Sequence, residues 1–483
     1  MALTEESIGE LCGVLGNKGV LTGNAAGPRY RTDPRGIGEV LPALVLRPAN
    51  TDEVSRVMAI CHAENQPVVV QGGMTGLVIG ARPQAGEVVL SLERMNRVEK
   101  VDPEAGTMVV QAGTPLQVVQ DCANAHDRFY PLDLGARGSC TIGGNLATNA
   151  GGNRVLRYGM TRNLALGLEV VLADGTVLSN LTGYLKNNTG YDLKHLFIGS
   201  EGTLGLITRA TLRIFPKPRT QIVGFCAIDS FAAVVETMTH LQQSLGADLS
   251  AFEVIWCDTY TATISDVAGI TPPLPTGSAF YVLTELMGSD KRHDRDKFET
   301  ALQDAMQKGL ISDAVVSQSD REVDNLWAVR DGMAEAMGQQ QPAVGFDVSL
   351  DIPDMANLES TLRQRLADAL GKVRLFIGGH LADGNLHLVA KHVGADPQPR
   401  ELIESIVYGL IGEIGGSVSA EHGIGTLKRD HLPQSRTPAE LAVMRNLKDM
   451  LDPKALLGRG RILPPRDHSE NITPLSRNPD NEF

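Results

Sequence analysis

Aromatic residues, long apolar runs and clustered cysteines are all scarce in this chain of 483 residues. Aromatics make up only 4% of it, and no apolar run reaches the roughly 18 residues that a membrane-spanning helix needs. The six cysteines are scattered and include no Cys-x-x-Cys pair, which excludes an iron–sulfur or zinc-finger framework. We therefore expect reduced core thiols and no transmembrane segment.

Positive charge is also in deficit, because the formal net charge is −13. Nucleic acids and anionic membranes are disfavoured as general partners, since both repel an acidic protein. The N-terminal residues, MALTEESIGELCGVLG, are acidic where a signal peptide would be basic. These features predict a cytoplasmic location, and an anionic substrate would require a local positive site.

The composition itself is that of a globular protein, with 42% hydrophobic and 21% charged residues. Apolar periodicity predicts a helix from Thr51 to about Glu64, between strands at Ala43–Pro48 and Val68–Gln71, in a βαβ unit. Beyond Pro216-Lys217-Pro218, apolar strands alternate with amphipathic helices, which predicts an α+β fold. The helices are expected near residues 230–245, 290–308, 321–340, 354–370, 398–413 and 437–451.

Glycine is concentrated in three stretches, Leu134–Gly152, Gln71–Gly80 and Gly199–Thr208. The first contains six glycines among mostly small residues, so it is not expected to form an amphipathic helix or a half-buried strand. Without Cβ atoms, its backbone N–H groups can lie flat against a large ligand. Three such turns suggest one long ligand, for which a flavin dinucleotide is the candidate; the alternative is ordinary glycine turns.

Two histidines flank an Asp383-Gly384 pair that lies between apolar runs, a strong hairpin signal. A two-residue turn there would place His380 opposite His387 on one face of the sheet, with their Cβ atoms roughly 5 Å apart. Two imidazoles held in this way form half of a metal site. The alternative is a pair of hydrogen-bonded histidines with no ion.

Glu421 and His422, in Ser-Ala-Glu-His-Gly-Ile-Gly, supply a third ligand and a base. Glu421 would complete a set of two histidines and one carboxylate that leaves room for substrate. Taken alone, the pair could equally be an ordinary surface loop. Arg330, on a helix whose core face carries Val323, Leu326 and Trp327, is either a carboxylate clamp or a plain surface arginine.

Taken together, the motifs resemble the FAD-linked D-2-hydroxy-acid dehydrogenases of the vanillyl-alcohol-oxidase (PCMH-type) fold, in the branch of D-2-hydroxyglutarate and D-lactate dehydrogenases. The resemblance covers about residues 40 to 465. It rests on the segments QGGMTG, GSCTIGGNLATNAGG, RYG, NNTGYDLKHLFIGSEGTLG, GHLADGNLH and SAEHGIG.

The resemblance implies a split FAD-binding domain and an α/β substrate, or cap, domain with an antiparallel sheet. We expect the FAD-binding domain at 1–218, the cap at 219–450, a segment returning to the FAD domain at 451–465, and a disordered polar tail at 466–483. No histidine lies in Gln71–Gly80, so the FAD is expected to be non-covalent. The flavin-binding residues implied are Gly72, Gly73, Met74, Thr75, Gly76, Leu77, Pro131, Leu132, Gly135, Ser139, Thr141, Ile142, Gly143, Gly144, Asn145, Ala147, Thr148, Asn149, Gly151, Gly152, Tyr158, Gly159, Glu201, Gly202, Gly205 and Ile207.

For the chemistry, the resemblance implies that His380, His387 and Glu421 bind a divalent metal, usually zinc. His422 would be the base, and Arg330 and Asn385 would hold the substrate. Oxidation of the D-2-hydroxy acid to the 2-oxo acid would then pass a hydride to flavin N5. With no iron–sulfur cysteines, electrons would leave to an external acceptor such as an electron-transfer flavoprotein or a quinone. A homodimer is among the assemblies to be tested.

The chain departs from the family pattern at positions that bear on the substrate. Ala334 replaces a threonine, and Gly345 replaces a lysine, in the positions expected to hold the second carboxylate of a diacid. We therefore predict a monocarboxylic substrate, D-lactate or a larger acid with an apolar tail; the alternative is D-2-hydroxyglutarate. Met74 also stands where asparagine is usual, and Gly458-Arg459-Gly460-Arg461 replaces Asn-Pro-Gly-Lys.

Three rivals share the fold or the cofactor. One is an oxidase that passes electrons to oxygen, and another is a transferase of the ether-lipid synthase type without net oxidation. The third is a flavin-binding subunit of a larger complex. The His/His/Glu/His set argues against a subunit without activity of its own.

Overall fold

The computed structural model of the protein describes residues 3–34 and 36–465. The predicted disordered tail, 466–483, lies outside the described residues. The N-terminal part of the chain contains eleven strands and seven helices up to Pro216. They are α1 (Glu5–Leu15), β1 (Val20–Leu21), β2 (Val45–Leu46), α2 (Thr51–Ala63), β3 (Val68–Gln71), β4 (Val88–Ser91), β5 (Val98–Asp102), β6 (Thr107–Gln111), α3 (Leu116–Ala125), β7 (Arg128–Phe129), α4 (Ile142–Thr148), α5 (Val155–Tyr158), α6 (Thr161–Leu164), β8 (Ala165–Val171), β9 (Val177–Asn180), α7 (Lys194–Phe197), β10 (Leu206–Arg213) and β11 (Phe215–Pro216).

Two sheets organise this part. One has the order β1-β2-β4-β3, and its strands β2, β4 and β3 run parallel, as the predicted βαβ unit requires. Helix α2 is capped by the Asn50 side chain and buries Val54, Val57, Met58 and Cys61. The other sheet, β5-β6-β10-β8-β9, is antiparallel throughout.

The C-terminal part is built on one antiparallel sheet with the order β15-β12-β14-β13-β17-β18-β16. Helices pack on both of its faces, over two apolar cores. The elements are β12 (Thr220–Ile228), α8 (Phe231–Leu245), β13 (Leu249–Trp256), α9 (Cys257–Asp266), β14 (Phe280–Gly288), α10 (Asp294–Gln307), β15 (Asp313–Val316), α11 (Asp320–Gln339), β16 (Val344–Ser349), α12 (Ile352–Leu370), β17 (Val373–Gly379), β18 (Asn385–His392), α13 (Arg400–Glu413) and α14 (Pro438–Leu451).

The glycine stretch contains a helix that composition did not predict. Residues 142–148 form α4, whose buried Ile142 and Leu146 anchor it in the N-terminal core. Gly143 allows this packing, because a Cβ there would lie 2.6 Å from the Cβ of Ala112. The expectation of no amphipathic helix in this stretch was therefore wrong, since tertiary packing compensates for weak helix propensity.

A buried ion pair joins the two parts of the chain. Arg154 donates from Nε to Glu285 Oε2 at 3.0 Å, and from Nη1 to Asp133. Glu285 also accepts hydrogen bonds from Ser250, Gln221 and Trp327, so its carboxylate is fully satisfied. Breaking a buried pair of this kind typically costs about 3–5 kcal/mol, because it leaves an uncompensated charge.

The last described segment returns to the N-terminal part. The backbone of Leu457 bridges Val68, and the buried Arg461 donates to both carboxylate oxygens of Glu87 and to the carbonyl oxygen of Arg82. All six cysteines are free, as expected from their scatter. Among the described residues, no helix combines the length and apolar character that crossing a membrane would demand.

Candidate active site

The first two glycine stretches and Glu201, from the third, line one cavity of about 350 Å³. Glu421 and His422 reach the same cavity from the C-terminal part. The proposed catalytic loop therefore faces the glycine loops directly. The predicted flavin residues that line it are Gly72, Gly73, Met74, Thr75, Gly76, Leu77, Gly135, Thr141, Gly144, Asn145, Ala147, Thr148, Gly151 and Glu201.

Close packing of the loops explains part of the glycine content. A Cβ on Gly73 would lie 2.1 Å from the carbonyl oxygen of Ser139, and one on Gly72 would lie 2.5 Å from Thr141 Oγ1. The Thr141 hydroxyl is buried and has no hydrogen-bond partner among the described residues. A buried donor without a partner at a cavity wall fits a polar ligand that supplies the missing bond.

The other predicted flavin residues do not line this cavity. Asn149 lines a neighbouring cavity of about 580 Å³, which shares Thr148, Glu201 and Glu421 with the first. Tyr158 packs edge-on against Phe129 and Phe215. The remaining residues are outside both cavities: Pro131, Leu132, Ser139, Ile142, Gly143, Gly152, Gly159, Gly202, Gly205 and Ile207.

The histidine hairpin has a longer connection than predicted. Gly378, not His380, pairs with His387, and residues 381–383 form a 3-10 helix between the strands. The predicted two-residue Asp383-Gly384 turn was therefore wrong, although Gly384 does adopt a left-handed conformation. The imidazoles of His380 and His387 still meet, with ring centroids 5.5 Å apart.

His380 is held by a carboxylate that the sequence did not reveal. Its Nδ1 lies 2.7 Å from Oε1 of Glu253, a buried residue of β13. Oε2 of Glu253 accepts a hydrogen bond from Arg330 Nε at 2.9 Å, and Arg330 Nη2 lies 2.9 Å from His380 Nε2. Burial raises the pKa of Glu253, but His380 and Arg330 lower it by more, to about 2, so this carboxylate is charged.

His387 has a matching neighbour in Asp347, which lies on β16 and is fully buried. The Nδ1 atom of His387 is 3.7 Å from Asp347 Oδ1. Burial lowers the pKa of His387 to about 3 in spite of this carboxylate, so the ring is neutral. A neutral imidazole is the form that binds a metal.

Asp347 also fixes the loop that carries Glu421 and His422. Its Oδ2 accepts backbone N–H bonds from Ala420, Glu421 and His422 at 3.1, 2.9 and 2.9 Å. Burial raises the pKa of Asp347, but the neighbouring His422 and Lys428 and the N–H bond from His422 lower it by more, to well below its usual range.

Glu201 holds the other end of this loop. It accepts the N–H groups of Ile424 at 2.6 Å and Gly425 at 2.8 Å. The loop that carries Glu421 and His422 is thus held by one carboxylate from each part of the chain.

Glu421 lies between the two hairpin imidazoles. Its Oε1 is 3.6 Å from His380 Nε2, and its Oε2 is 3.9 Å from His387 Nε2. Candidate ligand atoms of Asp347, His387, Glu421 and His422 also fall within 4.8 Å of one another. The side-chain Nδ2 of Asn385 donates to Asp347 Oδ1 at 2.9 Å. The buried side-chain oxygen of Asn385, Oδ1, has no hydrogen-bond partner among the described residues.

Arg330 departs from one of its two sequence-based interpretations. Its side chain is only 12% exposed, so it is not a plain surface arginine, and two of its nitrogens contact Glu253 and His380. Its Nη1 makes only a 3.8 Å approach to Asp331.

Comparisons with known proteins identify both parts of the chain. Residues 42–180 match the family model of an FAD binding domain, and residues 217–462 match that of the FAD linked oxidases, C-terminal domain. FAD is therefore the cofactor that these family matches indicate for the chain.

The chain is similar to whole enzymes as well. It is 43% identical to the mitochondrial D-2-hydroxyglutarate dehydrogenase of Bos taurus over 89% of this chain and 78% of that one. It is 39% identical to the Arabidopsis thaliana enzyme of the same name, over 87% and 75% of the two chains. The structure of p-cresol methylhydroxylase with substrate bound matches with a TM-score of 0.73 at 18% identity, over 96% and 98% of the two chains.

The predicted cytoplasmic location is wrong by these comparisons, because both of those relatives are mitochondrial enzymes. The predicted α+β architecture is confirmed, since the p-cresol methylhydroxylase match spans nearly the whole of both chains. With both domains matched and the relatives covered over three quarters of their length, the chain belongs to the family of FAD-linked D-2-hydroxy-acid dehydrogenases.

Proposed function

We propose that the enzyme oxidises a monocarboxylic D-2-hydroxy acid, D-lactate or a larger acid with an apolar tail, to the 2-oxo acid with the help of a divalent metal. The observation that carries the proposal is the convergence of His380 and His387 Nε2 on Glu421, beside the cavity that His422 shares with the glycine loops. We also propose residues 1–218 as the FAD-binding domain, 219–450 as the substrate domain and 451–465 as the returning segment.

The donor set suits a metal ion, and zinc in particular. Two imidazoles and a carboxylate are common zinc ligands in catalytic sites that leave a position for substrate. Metal-bound histidines commonly donate their other ring N–H to a carboxylate, as His380 does to Glu253. Bound there, the ion would polarise the hydroxyl oxygen of the substrate and lower its pKa.

The side chains then divide the remaining work. Arg330 binds the substrate carboxylate, and Asn385 orients the substrate through its unpaired carbonyl oxygen. His422 accepts the hydroxyl proton as the Cα–H bond breaks. FAD, when bound, would supply the acceptor for the hydride that leaves the substrate Cα. An external acceptor, an electron-transfer flavoprotein or a quinone, would reoxidise the flavin, and the assembly would be a homodimer.

Substrate choice depends on the two missing diacid contacts. We expect kcat/KM for D-lactate or an apolar-tailed D-2-hydroxy acid to exceed that for D-2-hydroxyglutarate, because the missing contact costs the diacid roughly ten- to a hundredfold in affinity. A charge-assisted hydrogen bond of about 1.5–3 kcal/mol is absent for the second carboxylate. The double variant Ala334→Thr, Gly345→Lys should reduce the difference in kcat/KM between the monocarboxylic acids and D-2-hydroxyglutarate. A Cβ on Gly345 would meet only Val389 Cγ2, at 3.9 Å, so the lysine can be accommodated.

Steady-state kinetics of both proteins on D-lactate, a longer apolar D-2-hydroxy acid and D-2-hydroxyglutarate test this choice. A clear preference of the natural chain for the diacid would contradict it and favour D-2-hydroxyglutarate dehydrogenase. Substrate-dependent flavin bleaching without peroxide release separates a dehydrogenase from an oxidase and from a transferase of the same fold. Activity of the isolated chain excludes a flavin-binding subunit.

FAD binding depends on the close approach of the two glycine loops. Gly73→Ala is expected to lower the FAD-to-protein ratio, because its Cβ would collide with the Ser139 carbonyl oxygen at 2.1 Å. Gly138→Ala is the control, since a Cβ there meets nothing within 4 Å. The bound flavin can be quantified after acid release. Equal FAD content in the two variants would show that this contact does not shape the site.

A further inference from the structure

We propose that Glu253 is a positioning residue that sets the metal ligand His380 and the substrate-binding Arg330 in one rigid arrangement. The inference rests on the proposed function, because it assigns a purpose to a residue behind the metal and substrate groups. Glu253 itself faces neither the glycine loops nor the cavity they line.

Each carboxylate oxygen of Glu253 has a different hydrogen-bond partner. Oε1 accepts from His380 Nδ1 at 2.7 Å, and Oε2 accepts from Arg330 Nε at 2.9 Å. The three side chains come from distant points of the chain: a central strand, the hairpin connection and helix α11. The Glu253 carboxylate therefore bridges the hairpin histidine and the helix arginine, and it supports the direct contact of 2.9 Å between Arg330 Nη2 and His380 Nε2.

Burial makes the loss of any hydrogen bond among these three side chains costly. The side chains of Glu253, His380 and Arg330 are 2%, 5% and 12% exposed, so water cannot replace a lost partner cheaply. A carboxylate accepts from both donors at once, whereas a glutamine amide offers one oxygen and one NH2 group. In Glu253→Gln, either His380 or Arg330 would therefore face a second donor instead of an acceptor.

Metal binding and substrate binding should therefore both weaken in Glu253→Gln. His380 would lose the bond that keeps its Nε2 directed towards Glu421, which weakens metal binding. Arg330 would lose its anchor and its balancing charge, which raises KM for the hydroxy acid. Loss of a carboxylate behind a metal-bound histidine typically lowers metal affinity by about 10–100-fold.

A matched control exists on the neighbouring strand. Glu285 of β14 is also fully buried and also pairs with an arginine, Arg154, but it touches neither His380 nor Arg330. Glu285→Gln should therefore lower stability while metal affinity and KM stay near those of the natural chain. Comparing the two variants separates positioning from the general cost of disturbing a buried pair.

The experiment measures zinc stoichiometry, zinc affinity by chelator competition, FAD content and KM against kcat for the natural chain and both variants. We expect Glu253→Gln to retain FAD, to bind zinc about 10–100-fold more weakly and to show a raised KM after zinc is restored to saturation. Natural affinity and KM in a folded Glu253→Gln protein would overturn the inference. A natural chain that binds no divalent metal would instead refute the proposed function.

If Glu253→Gln does not fold, the same measurements on Glu253→Asp test the inference. Aspartate keeps the charge but is shorter by one methylene, so it cannot reach both partners from the same backbone position. An intermediate loss of zinc affinity supports the inference. Unchanged zinc affinity and unchanged KM in the folded aspartate variant would overturn it.

Discussion

Replacing His422 with alanine is expected to leave FAD bound while slowing flavin reduction by substrate by about 10²–10⁴-fold. The imidazole lines the cavity together with the glycine loops, and in the proposed mechanism it takes the hydroxyl proton. The backbone N–H of residue 422, which donates to Asp347 at 2.9 Å, is kept in the variant. The loop should therefore hold its position, and only the proton acceptor is lost.

Anaerobic stopped-flow mixing of the FAD-loaded variant with substrate measures this step directly. His293→Ala serves as the control, because His293 lies on the surface with a 78% exposed side chain and pairs only with Asp290. That variant should reduce its flavin at the rate of the natural chain. Rapid bleaching of His422→Ala by substrate would contradict the role of His422 as base.

Removal of the metal is expected to abolish turnover without releasing FAD. Stabilisation of developing negative charge by a metal contributes several kcal/mol, which corresponds to a rate loss of about 10²–10³-fold or more. The residues proposed for the two groups are largely separate, since the glycine loops line the cavity proposed for the flavin and the histidine hairpin lies in the other part of the chain; Glu421 reaches both. Chelation should therefore remove one without the other.

The measurement is activity and flavin absorbance before and after dialysis against a chelator, followed by addition of Zn²⁺. Activity should fall and then return with the metal, while the flavin spectrum stays that of bound FAD. Full activity in a protein shown to be free of metal would remove the ion from the mechanism.

Much of this site could be predicted from local sequence, because its key residues stand in short, unusual motifs. His380 and His387 were placed side by side for a partly wrong reason: the connection contains a 3-10 helix, and Gly378 takes the position opposite His387. The two rings still meet, with centroids 5.5 Å apart, although His380 lies just beyond the end of β17. Hairpin register depends on turn geometry, which a dipeptide signal does not determine.

Glu253 and Asp347 were not predicted, although they hold the site together. Each is a single acid within an apolar strand, and such a residue is almost never fully buried unless it is paired. A single acidic residue within an apolar strand was therefore the sequence signal that could have identified both residues. Their partners lie 77 and 75 residues away in sequence, on Arg330 and His422, and only the folded sheet brings them together.

The secondary structure was predictable where apolar residues recur with helical period, as in α2 and α8. The relatives are mitochondrial enzymes, and neither core packing nor the geometry of the site carries information on the cell compartment. It could not be read from charge and hydropathy.

The most direct test of the account is anaerobic reduction of the FAD-loaded, zinc-loaded enzyme by a panel of D- and L-2-hydroxy acids. The account predicts that a D-2-hydroxy acid with a neutral or apolar tail bleaches the flavin, that its L-enantiomer does not, and that the 2-oxo acid forms in equal amount. Failure of every D-2-hydroxy acid to reduce the flavin, or faster reduction by the L-enantiomers, would contradict it.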